Sequence, residues 1–508
     1  MQKKQTILVV ASLLVVVLSV TLAYFTAQII GEGKNISVSS ADLKIVFTDT
    51  DGNIAGNGIT PGWSSSKTFT VKNESNGTYK YDIIIKDLVN TFKTYKYLQY
   101  KITSTDGGYN MTGYSYLPKA STKEDVALAY EISIDKGKTH TYTVEIKYVN
   151  DEAVDQSIDM GQSLSGTIYI REFTKPTMKL TDKLMADNPT IKTRTTFTAF
   201  TETNTGTLYK ATEQIGTDPV KDVYYFAGDA KNNWVKFANF YWRIIRTNYD
   251  GSIKLLYAGT SPDKKNGYIG WSNFNRTFND PMYVGYKYGT TGSLENNRLN
   301  TNNSTIKTYI DNWYKNNLTA YTKYLSNDAV YCNDRNLASG ETYSTTKSFD
   351  YAPYERIETN KQPTYNCTNM SDAFSVNNTS AKLDYPVGLM TIDELSYAGG
   401  ETSKLTAPYA WYYTNANGES ITGSDASWSL SPGFWSGSGS YYWGWFGSGI
   451  GSNPGRSGEL SSGGFTGSGA VRPSVSLSSC NLISRGDGSP ENPYIVYTGS
   501  GVCETPLT

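Results

Sequence analysis

Histidine is almost missing from this chain of 508 residues: there is one, His140. That absence removes a histidine-ligated zinc site and any Ser-His-Asp arrangement in which the base lies far from the sandwich strand carrying His140. No HExxH stands anywhere in the chain. Charge of one sign is missing too, with 46 basic residues against 47 acidic ones and no long block of either. The electrostatic footprint of a nucleic-acid binder is therefore absent, and no nucleic-acid partner is expected. Cysteine does not occur before position 332, and no CxxC spacing occurs at all. No phosphate-binding glycine loop leads into a helix. Metal and cofactor are accordingly both expected to be none.

What is abundant is tyrosine (41), glycine (46) and short polar residues, with only 18% charged. Tyr and Thr suit pleated surfaces, while Gly and Asn suit turns, so a mainly β chain follows. The N-terminus stands apart. Lys3 and Lys4 precede an uncharged, largely apolar run from Ile7 to Phe25, long enough as a helix to cross a bilayer. The lysines favour a cytoplasmic start, and residues 1–30 read as a signal peptide or membrane anchor. Thr21-Leu22-Ala23 and Phe25-Thr26-Ala27 both offer small residues for cleavage. Everything beyond is expected outside the cell, anchored or secreted, with the membrane as a partner through this segment.

Four cysteines in an exported chain suggest two disulfides. Chain order favours Cys332 with Cys367 and Cys480 with Cys503, while three connectivities exist. Residues 31–174 alternate apolar and polar positions in short segments, such as Lys67-Thr-Phe-Thr-Val-Lys72 and Thr141-Tyr-Thr-Val-Glu-Ile-Lys-Tyr148. This pattern predicts an antiparallel β-sandwich of Ig-like or jelly-roll type. Residues 175–217 read as a linker or as the edge of the next domain, with a short helix over 180–186 stopped before Pro189. Residues 218–508 predict an α+β domain: a hairpin around Asn248-Tyr-Asp-Gly251, a helix capped by Ser304, and a capping box at Thr391-Ile-Asp-Glu394.

Two resemblances follow. Ala23-Tyr-Phe-Thr-Ala27, Ser39-Ser-Ala-Asp-Leu43 and Pro61-Gly62 before Phe69-Thr-Val-Lys-Asn73 resemble the exported camelysin/TasA-type biofilm-fibre subunits. That likeness implies a jelly-roll or Ig-like sandwich and self-association by strand donation. The metalloprotease activity attributed to some members is not carried over. Trp242-Arg-Ile-Ile-Arg246, Tyr385-Pro-Val-Gly-Leu-Met-Thr391, Trp428 to Pro432 and Val471-Arg-Pro473 resemble a domain of bacterial surface proteins. That domain looks like the C-type-lectin fold shared with formylglycine-generating enzymes. The expected architecture is thus mainly β, then α+β.

Trp435, Tyr441, Tyr442, Trp443, Trp445 and Phe446 stand in a Gly/Ser-rich segment. They are the candidate ligand-binding residues, because such rings stack on sugars or anchor a protein. Their alternative role is packing, and Trp428 and Pro432 are assigned to structure. Asp49, Asp51 and Asn53 alternate oxygens as calcium loops do, but they lack a downstream glutamate, so a turn is expected. Arg472 is expected to pair with a buried carboxylate. No catalytic residues are assigned. The leading expectation is a non-catalytic, adhesin-type surface protein in which a sandwich stalk presents a lectin-like domain to a glycan or protein. A biofilm fibre or matrix subunit is the alternative, and a formylglycine-generating or glycan-active enzyme the third.

Overall fold

The computed structural model describes residues 35–40, 43–49, 59–94, 96–159, 162–200, 202–402, 410–423, 425–437, 442–448, 459–464, 468–499 and 501–504. The chain divides into two compact units, Met1–Lys175 and Pro176–Thr508. The N-terminal apolar run and the triad Asp49, Asp51, Asn53, apart from the backbone of Asp49, lie outside the described residues. Among those described, no helix is long and apolar enough to cross a membrane.

Among its described residues the first unit has nine strands: β1 (Asn35–Ser40), β2 (Leu43–Asp49), β3 (Ser64–Asn73), β4 (Tyr79–Asn90), β5 (Leu98–Ser104), β6 (Ser115–Tyr116), β7 (Ala120–Ile134), β8 (Thr139–Tyr148) and β9 (Leu164–Glu172). One sheet runs β1-β2-β3-β8-β5-β6 and the other β7-β4-β9, with every pairing antiparallel. The period-2 pattern explains the sandwich. Along β8, His140, Tyr142, Val144, Ile146 and Tyr148 are buried while the residues between them are not. They meet Phe69 and Val71 of β3, Leu98 and Ile102 of β5, and Tyr81, Ile83, Ile168 and Ile170 of the second sheet in one core. At roughly 25 cal/mol per Å² of apolar area removed from water, that core is the main stabilising term. Ile84, Ala127 and Tyr169 form a small cluster of their own.

The second unit is β-rich with few helices. Residues 175–217 supply the helix α1 (Leu180–Asp187) and three strands: β10 (Thr190–Thr193), β11 (Thr203–Asn204) and β12 (Thr207–Glu213). The stretch belongs to the unit's body. β10 and β12 extend the ten-stranded sheet, and the Leu180 amide bonds the Asn481 carbonyl at 3.0 Å. In that sheet β13 (Lys221–Tyr225), β15 (Trp234–Phe237), β16 (Phe240–Thr247) and β17 (Ile253–Tyr257) follow, with β16 and β17 forming the hairpin. β17 also pairs with Ser474–Leu477, which closes the unit from its far end. α2 (Thr305–Asn317) starts at Ser304, whose hydroxyl accepts from the Lys307 amide, and buries Ile306, Ile310 and Tyr314. α3 (Ile392–Tyr397) opens on the full capping box of Thr391 and Glu394.

Both disulfides are formed as Cys332–Cys367 and Cys480–Cys503, across sequence separations of 35 and 23. Arg472 corrects an expectation. Among the described residues its buried guanidinium meets no carboxylate; it donates to the carbonyls of Tyr257, Gly267 and Tyr412. Burial pulls its pKa down to about 9. Backbone oxygens carry enough partial charge to accept from its Nε, Nη1 and Nη2, so three chain segments converge on one side chain.

Candidate functional site

Two places in the second unit concentrate polar chemistry, and they differ in kind. The first is a buried ionic cluster on β12, β16, β17 and α3. Arg246 donates to both oxygens of Glu213 at 2.9 Å and to Glu394 Oε1 at 3.0 Å. Lys254 donates to both Glu394 oxygens at 2.8 and 2.9 Å, and the Thr391 amide adds a bond at 3.0 Å. Beside them Arg356 joins Asp334 at 2.8 Å to Asp393 at 3.0 Å. A cavity of about 20 Å³ lies among these groups, room for about one water.

Burial alone pushes the Glu394 carboxyl up, but Lys254 and Arg246 outweigh it and hold the group below the usual carboxylate range. Burial lowers Lys254 despite its anion. A carboxylate so held cannot donate a proton at neutral pH, and both glutamates share one arginine. The cluster is charge-paired and largely buried. Its chemistry is that of a structural core.

The second place is open. A groove of about 630 Å³ runs from Trp271 and Arg276 past Tyr288 to the start of α2, with Tyr309 and Asn312 on its wall. Its other lining residues are Ser, Thr and Asn. Trp271 is 50% exposed, and its ring packs against Tyr268 at 4.8 Å. A large ring left in water at the rim of a polar concavity is the feature a ligand would use.

Local structure explains how the groove holds its shape. Trp271–Ser272 is a two-residue strand paired with Gly469–Ala470. Beneath it the buried Trp428 donates its indole N–H to the Ser272 carbonyl at 2.7 Å and packs edge-on to Phe274. Gly469 must be glycine, because an added Cβ would press on the Trp428 indole at 2.8 Å. Gly270, at φ +140°, leaves room for the Tyr309 hydroxyl, which donates to the Ile269 carbonyl at 3.2 Å. Asn275 Oδ1 accepts from Thr305 at the first turn of α2, and the Arg276 amide bonds Thr305 Oγ1 at 3.2 Å.

Among the described residues, none of the candidate ligand-binding residues singled out from the sequence lines this groove. Trp428 is structural, as is Pro432, buried at an irregularity in the strand Ala426–Trp435. Trp435 corrects its assignment to an exposed platform: it is fully buried, opposite Phe349 in a cross-strand pair, so its ring serves as core. Tyr441 lies outside the described residues. Tyr442, Trp443, Trp445 and Phe446 fall on the strand Tyr442–Ser448, which pairs with Ala426–Trp435 and with Leu460–Gly464. That strand shares one sheet with Trp271–Ser272, in the order Trp271–Ser272, Gly469–Ala470, Ala426–Trp435, Tyr442–Ser448. Ser468, where the Gly/Ser-rich segment rejoins the body, lines the groove. The sequence reading missed Trp271 and Arg276. Their signal was Gly270-Trp-Ser-Asn-Phe-Asn-Arg276, an aromatic residue among amides and hydroxyls.

No protein-family model matches the chain, and no curated protein matches it. Among solved structures, similarity is found to a family 123 glycoside hydrolase from Clostridium perfringens, described for glycolipid glycan hydrolysis. Identity is 9%, coverage is 27% of this chain and 24% of that one, and the TM-score is 0.12, so the likeness carries no argument.

Proposed function

We propose that this protein is an exported, cell-surface binding protein that takes up a glycan in the Trp271 groove, with the sandwich as a membrane-proximal spacer. One observation carries the reading: a half-exposed indole at the rim of a groove lined by amides and hydroxyls. The C–H faces of a sugar ring cover an indole, while its hydroxyls exchange bonds with Asn, Ser and Thr. Export rests on the N-terminal apolar run, and the two disulfides support an oxidising destination. The C-type-lectin resemblance belongs to the same reading. A non-catalytic role is supported by two observations: the buried Glu213 and Glu394 are charge-paired, and all four cysteines are bonded. Titrating the full chain with neutral oligosaccharides tests the reading. Trp271→Ala is expected to weaken binding, and equal binding by the variant would refute this assignment of the groove.

The fibre or matrix subunit is a second reading, favoured by β1. Among the described residues β1 pairs on one side only, with β2, which leaves a backbone edge for another chain. Electron microscopy of the purified full chain would show filaments under that reading and dispersed particles under the first.

A further inference from the structure

The charge of the groove points to the class of sugar, an inference that rests on the glycan reading above. Among the described lining residues there is no aspartate or glutamate, and Arg276 is the one charged side chain. Six other arginines of this unit are committed. Arg246, Arg298, Arg335 and Arg356 all hold carboxylates, and Arg243 and Arg472 hold backbone carbonyls. Arg276 is exposed and has no acidic neighbour in the groove. The start of α2, also in the groove, does not compete for an anion. The amides of Thr305, Ile306 and Lys307 are already bonded to Asn275 Oδ1, the Phe274 carbonyl and Ser304 Oγ. The positive charge of the groove is therefore the guanidinium alone.

A guanidinium presents paired N–H donors that match a carboxylate's two oxygens, so a carboxylate is the partner that uses its fork as well as its charge. A neutral sugar would leave it in water. We infer that the groove is built for an acidic saccharide, a carboxylate-bearing sugar such as a hexuronate, with its ring on Trp271 and its carboxylate on Arg276. Because the site is open, the pair is screened by salt and its effect is moderate.

Calorimetric titration of the full chain with oligogalacturonate and with its methyl ester tests this, since esterification removes the charge and keeps the ring. The acid is expected to bind about three- to tenfold more tightly than the ester at low salt, the advantage shrinking as salt rises. Arg276→Gln should erase that difference, and Arg276→Lys should keep part of it. Trp271→Ala should weaken acid and ester alike. Equal affinity for both forms in the wild type would overturn the inference while leaving the glycan reading intact, as would a preference that survives Arg276→Gln. A sulfated oligosaccharide that gains as much as the uronate would overturn the assignment to carboxylate. Failure of the wild type to bind any of the three overturns both readings together.

Discussion

The two units of this chain solve the same problem with different materials. The sandwich buries long alternating strands around one apolar core, and the charged groups it buries, such as Asp82 and Asp159, sit beside loops and strand neighbours that satisfy them. The second unit has short strands and long connections, and it buries Glu213, Arg243, Arg246, Lys254, Arg335, Asp372, Glu394 and Arg472. Where regular pleating cannot specify the packing of loops, forked donors can. Arg335 alone bonds Asp372, Asn300 and the carbonyls of Lys287, Asn297 and Ser371. The lesson is that this domain gains definition from polar geometry that costs desolvation, and two disulfides offset part of that cost.

That contrast is open to attack. The sharpest attack is Glu394→Ala, which strands Arg246 and Lys254 without their shared anion inside the protein. Breaking a buried pair from one side costs about 3–5 kcal/mol. Tryptophan fluorescence isolates the effect, because nine of the ten tryptophans lie beyond residue 175 and only Trp63 lies before it. Denaturant titration should show the second unit melting early while the sandwich, followed by the His140 proton signal, is unchanged. Acid acts on the same group. The folded carboxyl lies below its unfolded value near 4.5, so its contribution is complete above that pH and is lost as the pH falls through the folded value.

Removing a disulfide comes next. Loops of 35 and 23 residues correspond to about 3–4 kcal/mol each by the chain-entropy argument. Reduction should therefore lower the second unit's denaturation midpoint and leave the sandwich where it was. A smaller effect belongs to the sandwich alone. Tyr81 Oη lies 2.9 Å from His140 Nδ1 and 2.7 Å from Tyr142 Oη inside the core. Burial lowers the His140 pKa, against the opposing pull of Asp106 and Asp135. The unfolded imidazole takes up its proton near pH 6.5 and the folded one only at lower pH, so the unfolded state binds more protons in between. Sandwich stability should thus be complete above about pH 6.5 and fall below it, and His140→Gln should flatten that slope in pH-dependent melting curves. The smallest effect is expected at Trp271→Ala, an exposed position, whose cost in stability should stay within about 0.5 kcal/mol. A larger shift in its melting curve would place that ring in the core instead of the groove.

How much of this was legible in the sequence follows the same division. Alternation along Thr141–Tyr148 marks buried positions directly, because a strand's side chains change face at every residue. The caps at Ser304 and Thr391 were legible for the same reason: their partners lie three residues away. The ionic cluster was not. Arg246 and Glu394 are 148 positions apart, and no local period links them. Arg472 misled because a lone buried arginine suggests an acid, while its partners are carbonyls that every residue carries. The aromatic segment drew attention by composition, and Trp435 within it is core. Trp271, a single ring in a modest Asn/Ser context, drew none although it is half-exposed. Composition marks where rings are, not which face they show.

The Trp271 indole is the proposed ligand platform. An indole N–H spectrum of the ¹⁵N-labelled full chain, with the Trp271 signal assigned by its loss in Trp271→Phe, measures this directly during titration with oligogalacturonate. The account predicts a saturable shift of the Trp271 signal while the buried Trp242 and Trp411 signals stay in place. A Trp271 signal that does not move at saturating sugar would contradict it.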